Sequence, residues 1–298
     1  MSEQVVWTQW DDLNVPNKFK RLSPTTTPIK DGDFTEVTFY VPWYMGGRDA
    51  LELTKKMPKL KVLQVPNAGY DDAIEYVRPG MTLCNGKSIH DDSTAELAVG
   101  LTIASLRGFP DFVRNQDKSE WVHVKNKSIN DRKIGIIGFG SIGQTLAKYL
   151  EVYEVSITGY SRSGGNGAKK IPEFDSDISN FDVIFLILPL NTESHHYFNT
   201  TRLSKMKDGA LLINVARGPV IDTDALVKEL YSKRIFAGLD VTDPEPLPKG
   251  HPLWSAPNCI IAPHVGGDST AFESRGKKLV EQQLSNVANG QPLMNRVN

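Results

Sequence analysis

KIGIIGFGSIGQTLAKYL, residues 133–150, is the most informative segment of the chain. It opens with an apolar run typical of a buried parallel strand, continues with the pattern GxGxxG at Gly138, Gly140 and Gly143, and ends in a helical pattern. Glycines at these positions allow a tight turn, close approach of the backbone to a pyrophosphate, and close packing of the helix on the strand. The helix that begins at Ser141 presents its N–H groups to a phosphate. This context predicts a dinucleotide-binding βαβ unit.

The next predicted strand ends in Ser161, Arg162 and Ser163, where an NAD site carries an Asp or Glu for the ribose 2′-hydroxyl. Without that carboxylate, a 2′-phosphate meets no repulsion, and a guanidinium offers it two parallel hydrogen bonds. The serine hydroxyls add donors, and Arg162 can also stack on adenine. The sequence predicts a preference for NADP(H), with NAD(H) also possible; the alternative is a solvated Arg162 without a role.

Strand and helix patterns alternate on both sides of the glycine motif, which predicts parallel βαβ units. Pro16, Pro24 and Pro28 predict an irregular first 30 residues. The fold class is therefore α/β, with two doubly wound domains: a smaller flavodoxin-like substrate domain, 1–92 completed by 268–298, and a Rossmann domain, 93–267. The predicted strands are 37–41, 61–65, 133–138, 155–160, 182–188, 210–215, 236–241 and 259–262, and the predicted helices are 49–56, 93–107, 141–150, 223–231 and 269–289.

Composition narrows the class of protein. The 298 residues carry 34 Lys and Arg against 35 Asp and Glu, a net charge of −1, which argues against a dedicated nucleic-acid or membrane-surface binder. The longest apolar run, 183–190, is far short of the roughly 20 residues that span a membrane, and no secretory pattern is visible. We therefore expect a soluble, cytoplasmic protein. Cys84 and Cys259 predict neither a disulfide scaffold nor a zinc site, and both are expected to be small buried residues.

Polar side chains follow three of the later predicted strands. Arg217 lies just beyond one strand, the carboxylates of the segment 239–246 beyond the next, and His264 beyond the last. In α/β sheets ligands bind beyond the carboxyl ends of strands, and Arg is suited to hold a carboxylate. An Arg, a carboxylate and a His at one edge predict an acid/base site.

With these motifs, the chain resembles the D-isomer-specific 2-hydroxyacid dehydrogenase family, which includes glyoxylate/hydroxypyruvate reductases and phosphoglycerate dehydrogenases. The similarity covers about residues 61–275, and the first 60 residues match poorly. It is carried, in this order, by LQVPNAGYDD (63–72), TAELAVGL (94–101), IGIIGFGSIGQTLA (134–147), LPLNTES (188–194), LLINVARGPVIDTDAL (211–226), AGLDVTDPEPLP (237–248) and CIIAPHVGG (259–267).

The resemblance implies a catalytic triad of Arg217, Glu245 and His264. His264 would protonate the keto oxygen as hydride arrives from the nicotinamide, Glu245 would raise the pKa of His264 and fix its tautomer, and Arg217 would bind the substrate carboxylate. The implied substrate-binding residues are Asn67, Ala68, Gly69, Arg217 and His264. The implied cofactor-binding residues are Gly138, Gly140, Ser141, Ile142, Gly143, Ser161, Arg162, Ser163, Leu188, Pro189, Val215, Ala216, Asp240 and Gly266.

These features favour an NADPH-dependent reductase of a small 2-keto acid, with glyoxylate and hydroxypyruvate as the substrates that the resemblance implies. A phosphite or formate dehydrogenase shares the fold, although the formate branch carries Gln at the position of Glu245. A dinucleotide-sensing scaffold like the related transcriptional corepressors is the alternative outside enzymology. The resemblance alone implies a homodimer, with the substrate in a cleft between the domains.

Other residues receive simpler interpretations. Ser93 or Thr94 is expected to cap the helix 93–107, and Asp222 and Asp224 the helix that begins near Thr223. His195 and His196 would face opposite ways in an extended segment, and no metal site is predicted. Asp243 is interpreted as a loop charge, Trp43–Tyr44–Met45 as a segment that could close the pocket, and Met and aromatic positions generally as core.

Overall fold

The structure, a computed structural model, describes residues 4–298 and divides into two units. One is the chain up to His90 together with Thr270–Asn298, and the other is Asp91–Ser269. The described strands are β1 (Gln4–Trp7), β2 (Phe19–Leu22), β3 (Phe39–Tyr40), β4 (Val62–Gln64), β5 (Thr82–Cys84), β6 (Lys133–Ile137), β7 (Ser156–Ser161), β8 (Lys169–Lys170), β9 (Val183–Leu186), β10 (Leu211–Asn214), β11 (Phe236–Leu239) and β12 (Cys259–Ile261).

The α-helices of the described residues lie between these strands and after the last one. Short 3-10 turns, such as Leu53–Lys56 and Gly218–Val220, connect some of them. The helices are α1 (Gly47–Glu52), α2 (Asp91–Arg107), α3 (Phe109–Asp117), α4 (Ser141–Leu150), α5 (Phe174–Asp177), α6 (Thr200–Lys205), α7 (Thr223–Tyr231) and α8 (Thr270–Ala288).

The first unit is a parallel sheet in the order β2-β1-β3-β4-β5, which is the flavodoxin-like order and confirms that prediction. Successive side chains of a strand face opposite sides of the sheet. In β1, Trp7 therefore joins a core that contains Tyr40 and Leu63 on one face, whereas Val6 joins a core with Phe39 on the other. Helix α8 covers the second face with Phe272, Leu279 and Leu284.

Two strands form where the sequence predicted irregular structure. β1 and β2 fall within the first 30 residues, and Pro16 lies between them rather than inside either. β1 has only four residues, and β2, at the edge of the sheet, exposes its central Lys20 and Arg21. Strands this short, one of them charged at an edge, show too little alternation of apolar and polar residues to be recognised.

The second unit contains a parallel sheet in the order β12-β11-β10-β9-β6-β7-β8. Numbered from β6, this is the dinucleotide-binding order 3-2-1-4-5-6 with a seventh strand at one edge. The predicted Rossmann domain is confirmed. All its paired strands are parallel, so their carboxyl ends meet at one edge, and the segments that follow β6, β7, β9, β10, β11 and β12 all emerge there.

Helix boundaries agree with the prediction where capping is local. Helices α4 and α7 have the predicted ends, and the Asp222 carboxylate caps α7 by accepting from the N–H of Ala225 at 3.0 Å. The predicted cap of α2 is wrong, because the helix begins at Asp91 and buries Ser93 and Thr94 in its first turn. Helix α3 was not predicted, since its sequence, FPDFVRNQD, is polar and contains a proline.

Burial corrects two expectations about residue types. Cys84 is buried but Cys259 is partly exposed. Burial raises the pKa of their thiols to about 11 and about 12, so both are unreactive near neutral pH. Aromatic and Met residues are not uniformly core. Those with exposed side chains include Met45, Tyr70, Phe109, Phe112, Trp121, Tyr231 and Trp254. In the described part of the chain, no helix is both long and apolar enough to cross a bilayer.

Helix α7 provides a direct test of local capping. We expect Asp222→Ala to lower the free energy of unfolding by about 1 kcal/mol, because the N–H of Ala225 loses its acceptor. Asp224→Ala, a control in the same first turn, should cost less than half as much, since only a favourable charge near the helix dipole is lost. Urea unfolding followed by circular dichroism measures both, and equal losses would contradict the capping assignment.

Candidate active site

The glycine motif forms a cradle at the start of α4. Gly138 has φ +104°, and a Cβ there would lie 2.2 Å from the carbonyl oxygen of Ile187. A Cβ on Gly143 would lie 2.4 Å from the carbonyl oxygen of Gly138, whereas one on Gly140 would meet nothing within 4 Å. The turn and the helix packing thus need glycine, and open space lies beside Gly140. The first N–H groups of α4 have no partner inside the helix, so the cradle fits a pyrophosphate.

The segment after β7 holds the residues predicted to select the cofactor. Ser161 is partly buried, and its hydroxyl accepts from the N–H of Gly164 at 3.0 Å. Arg162 and Ser163 are exposed. Among residues 4–298, no carboxylate pairs with Arg162. Its guanidinium is therefore available to an anionic ligand beside the carboxyl end of β7.

The segments after β9 and β10 lie at the same edge of the sheet. Leu188 is buried and Pro189 exposed, and the Pro189 carbonyl accepts from the hydroxyl of Ser194 at 2.6 Å. Val215 and Ala216 are buried. These four predicted cofactor residues therefore sit where dinucleotides bind in doubly wound sheets.

Asn214, which the sequence analysis did not single out, braces the segment that carries Arg217. Its buried side chain accepts from the N–H of Ala216 and donates to the carbonyl oxygen of Arg217, both at 3.0 Å. The guanidinium of Arg217 donates to the carbonyl of Ala216 at 2.8 Å, and Arg217 is partly exposed. These hydrogen bonds fix the backbone of residues 216 and 217, from which the Arg217 side chain extends. No sequence signal distinguished Asn214, because a polar residue at a strand end shows its need for partners only once its burial is known.

A close crossing brings the Arg217 segment to the segment that carries Glu245. A Cβ on Gly218 would lie only 1.9 Å from the carbonyl oxygen of Thr242, so glycine is required there. The hydroxyl of Thr223 donates to the carbonyl of Asp243, and that of Thr242 to the carbonyl of Pro244. These contacts hold the loop that precedes Glu245.

His264 and Glu245 form the central pair of the site. His264 Nδ1 lies 2.5 Å from Glu245 Oε1, and the side chains are 33% and 39% exposed. The hydrogen bond to Glu245 is the main cause that raises the pKa of His264, and it outweighs burial and the charge of Arg217. Burial acts to raise the pKa of Glu245, but the hydrogen bond and charge of His264 hold it below its usual value. Both directions favour an imidazolium–carboxylate pair.

Asp240 fixes the backbone at His264. Its carbonyl accepts from the N–H of His264 at 2.8 Å, and its two carboxylate oxygens accept from Val265 at 2.7 Å and Gly266 at 2.9 Å. A Cβ on Gly266 would lie 2.7 Å from Asp240 Oδ2. Burial raises the pKa of Asp240 against the effect of these bonds. The structure thus gives Asp240 and Gly266 a supporting task; their predicted cofactor contacts stay predictions.

The predicted substrate loop lies in the first unit. The carbonyls of Pro66, Asn67 and Ala68 accept from His90 Nε2 at 2.8 Å, from the N–H of Gly86 at 2.7 Å and from Asn85 Nδ2 at 2.7 Å. Within residues 4–298, the N–H groups of Asn67, Ala68 and Gly69 bond to no acceptor. Successive free N–H groups of this kind make an anion-binding concavity.

Residues near that loop pack as a stack of rings. Tyr44 stacks on Phe272 with centroids 4.0 Å apart, and the ring of His90 lies 5.5 Å from that of Phe272. Trp43 packs edge-on against Trp7, whereas Met45 is exposed. Tyr44 and Trp43 are thus held by packing; a role in closing the pocket stays a prediction.

The expectation for His195 and His196 is wrong. His196 has φ +50°, and the two rings stack with centroids 4.0 Å apart rather than facing opposite ways. The cause is a turn, not an extended segment, at this point of the chain.

No group of three or more His, Cys, Asp or Glu suited to a metal ion occurs in the part of the chain that the structure describes.

Comparison with known proteins defines the class. A family model described as D-isomer specific 2-hydroxyacid dehydrogenase, NAD binding domain, matches residues 99–266, more than half of the chain. The chain therefore belongs to the D-isomer specific 2-hydroxyacid dehydrogenase family. Because the match is to that family's NAD-binding domain, the cofactor class is a nicotinamide dinucleotide.

Individual relatives agree. The chain is 34% identical to a glyoxylate reductase of Thermococcus litoralis over 83% of this chain and 80% of the relative. It is 31% identical to a glyoxylate reductase of Thermofilum pendens over 80% of this chain and 75% of the relative. The crystal structure of a D-isomer specific 2-hydroxyacid dehydrogenase family protein from Aeromonas salmonicida superposes with a TM-score of 0.86 at 27% identity, covering 100% of this chain and 99% of that one.

The His264–Glu245 pair predicts a titration. Because the Glu245 hydrogen bond and charge raise the pKa of His264, Glu245→Gln should lower that pKa, and the imidazolium should lose its proton at a lower pH. Asp243→Asn, in the same loop, is the control and should leave the titration unchanged. An NMR titration of labelled histidine measures all three proteins; an unshifted His264 in Glu245→Gln would refute the assigned coupling.

Proposed function

We propose that the protein reduces a small 2-keto acid, of the glyoxylate or hydroxypyruvate type, to the D-2-hydroxy acid with NADPH. The observation that carries the proposal is the 2.5 Å contact between His264 and Glu245, at one edge of a Rossmann sheet. Reduction of a carbonyl requires a proton as well as a hydride, and an imidazolium with a raised pKa supplies that proton near neutral pH. A bound nicotinamide dinucleotide supplies the hydride.

Each triad residue has a distinct task in this proposal. His264 donates its Nε2 proton to the keto oxygen, because Nδ1 is engaged with Glu245. Glu245 keeps the imidazole oriented and charged until that transfer. Arg217 binds the substrate carboxylate and stabilises negative charge that develops on the carbonyl oxygen. As pH rises through the raised pKa of His264, the acid form is lost and reduction should slow.

We further propose that the N–H groups of Asn67, Ala68 and Gly69 bind a carboxylate group. The carbonyls of Pro66, Asn67 and Ala68 are tied back to His90, Gly86 and Asn85, whereas the N–H groups of residues 67–69 bond to no acceptor within residues 4–298 and are left for a ligand. The names of two of the three proteins compared above support the small keto acid, because both are glyoxylate reductases.

The proposed NADPH preference rests on the segment after β7. The residue after Tyr160 is Ser161 and not an Asp or Glu. Arg162 is exposed and has no ion pair among the described residues. We propose the same remaining cofactor contacts as the sequence analysis: the glycine cradle with Ser141 and Ile142 for the pyrophosphate, the segments at 188–189 and 215–216, and Asp240 and Gly266.

Initial rates of NADPH and NADH oxidation, measured side by side with glyoxylate, hydroxypyruvate, pyruvate and phenylpyruvate, test the function. We expect faster oxidation of NADPH and the highest kcat/KM with one of the first two acids. Equal use of NADH would overturn the cofactor preference alone. Tight cofactor binding without turnover across the panel would overturn the reductase and favour a dinucleotide-sensing scaffold.

The proton donor can be tested by substitution. We expect His264→Asn to lower kcat by about 10² to 10⁴, because general acid catalysis is lost, while the affinity for NADPH measured by fluorescence titration stays within about threefold. The control is His196→Asn, which removes an imidazole of the same unit from a turn outside the triad. Comparable losses in the two variants would count against His264 as the acid.

We also propose that two copies of the chain associate through the segment 109–124. Helix α3 and the residues after it expose an unusual number of large apolar side chains, and Trp121 is 99% exposed. Exposed patches of this kind mark protein–protein contacts, and the family resemblance implies a homodimer. The exposed side chains are Phe109, Phe112, Val113, Trp121, Val122 and Val124.

Light scattering coupled to size exclusion tests this surface. We expect a dimeric wild type and a shift toward monomer in Trp121→Asp, because a buried aspartate in an apolar interface is unfavourable. Trp254→Asp, at an exposed tryptophan on another part of the same unit, is the control and should remain dimeric. A monomeric wild type would contradict the homodimer, and a dimeric Trp121→Asp would contradict the surface.

A further inference from the structure

The short edge strand β8 brings a lysine beside the segment that is proposed to select the cofactor. β8 runs parallel to β7, with Lys169 opposite Tyr160 and Lys170 opposite Ser161. Residues at matching positions of neighbouring strands point to the same face, and successive residues point to opposite faces. Lys170 therefore shares a face with Ser161, at the carboxyl ends of both strands, and Lys169 faces the other way.

Contacts on the two faces confirm that they differ. On one face, Lys169 Nζ and the hydroxyl of Tyr160 both donate to Asp177 Oδ2, at 2.8 and 2.6 Å. On the other, the aliphatic part of Lys170 lies against the turn after Ser161: a Cβ on Gly164 would lie 3.1 Å from Lys170 Cγ. The stem of Lys170 thus runs along the turn that Ser161 closes by accepting from the N–H of Gly164.

The charges around this turn leave two cations for a ligand. Lys169 is neutralised by Asp177, but no ion pair engages the side chain of Lys170 or of Arg162 in the described chain. Both are exposed. The carboxylate of Glu173 is engaged with the backbone here, because its Oε1 accepts from the backbone N–H of Lys170 at 2.9 Å. A phosphate carrying nearly two negative charges would compensate both cations.

We propose that Lys170 is a second specificity-determining residue, which binds the 2′-phosphate of NADP(H) together with Arg162. The inference rests on the proposed use of NADPH and deepens it. The guanidinium gives directional, paired hydrogen bonds, whereas the ammonium on a flexible stem acts as a point charge. Arg162 follows Ser161 directly in the chain and Lys170 lies opposite Ser161 on β8, so the 2′-phosphate meets charge from two segments.

The experiment separates the 2′-phosphate from the rest of the cofactor and does not require turnover. Isothermal titration calorimetry compares adenosine 2′,5′-bisphosphate with adenosine 5′-monophosphate, using wild type, Lys170→Met, Lys170→Arg and Lys169→Met. Lys169→Met is the matched control, because it removes an adjacent lysine from the opposite face, and Asp177 keeps its bond from Tyr160. The ratio of NADPH to NADH kcat/KM is measured on the same proteins.

We expect Lys170→Met to weaken adenosine 2′,5′-bisphosphate about tenfold, or about 1.4 kcal/mol, and to change adenosine 5′-monophosphate by less than twofold. Lys170→Arg should restore most of the loss, Lys169→Met should resemble wild type, and the NADPH/NADH ratio should fall only in Lys170→Met. Equal weakening of both nucleotides, or a matching loss in Lys169→Met, would overturn the role of Lys170. A wild type that does not distinguish the two nucleotides would overturn the NADPH preference as well.

Discussion

The geometry of the site depends on Asp240, which binds three consecutive backbone N–H groups, those of residues 264–266. A buried carboxylate without partners is costly by several kcal/mol, so burial of Asp240 stabilises the fold only in the loop conformation that supplies these donors. That conformation places His264 in the left-handed region, at φ +55°, which a non-glycine residue rarely adopts without surrounding restraint. The imidazole therefore leaves the backbone in a direction that the loop alone would not maintain.

Given that direction, the remaining members of the site follow from close backbone approaches rather than from side-chain reach. Gly218 lets the Arg217 segment touch the carbonyl of Thr242, and the hydroxyls of Thr242 and Thr223 hold the chain that leads to Glu245. Three charged groups act on the pKa of His264: Glu245 and Asp240 raise it, and Arg217 lowers it. The net rise indicates that the hydrogen-bonded carboxylate dominates, and it favours the protonated imidazole.

Elements with strong local signals were predictable from sequence. The run before Gly138, the glycine turn and α4 carry an apolar strand, a steric requirement and a helical period in succession, and α7 carries its own cap at Asp222. The triad proposed here was predicted from the family resemblance, whose motifs lie at strand ends. The features that the sequence could not reveal depend on contacts seen only in the fold. Strand β8, for example, consists of two lysines and forms only because β7 lies beside it. The stacked His195 and His196 arise from a turn whose left-handed residue, His196, carries no glycine signal. Asn214 looks like any polar residue until its two backbone partners are seen.

The anion sites proposed for this chain rely on two chemically different kinds of group, and each kind requires a different support. Backbone N–H groups, at residues 67–69 and at the start of α4, have no side-chain freedom, so their positions depend on the backbone that carries them. In the first case, neighbouring carbonyls accept hydrogen bonds from His90 and Asn85. In the second case, glycines allow the turn and the helix to pack tightly. The side chains of Arg and Lys are flexible, so only the backbone that carries them is restrained. Asn214 restrains the backbone at Arg217, and the β7–β8 register restrains it at Lys170. Rigid donors define where an anion sits, and mobile cations discriminate by charge. A substituent that distinguishes two otherwise identical cofactors, such as a 2′-phosphate at the rim of the sheet, is best recognised by flexible Arg and Lys side chains. When the cofactor lacks that phosphate, no buried N–H group is left unpaired, and the smaller cofactor still binds.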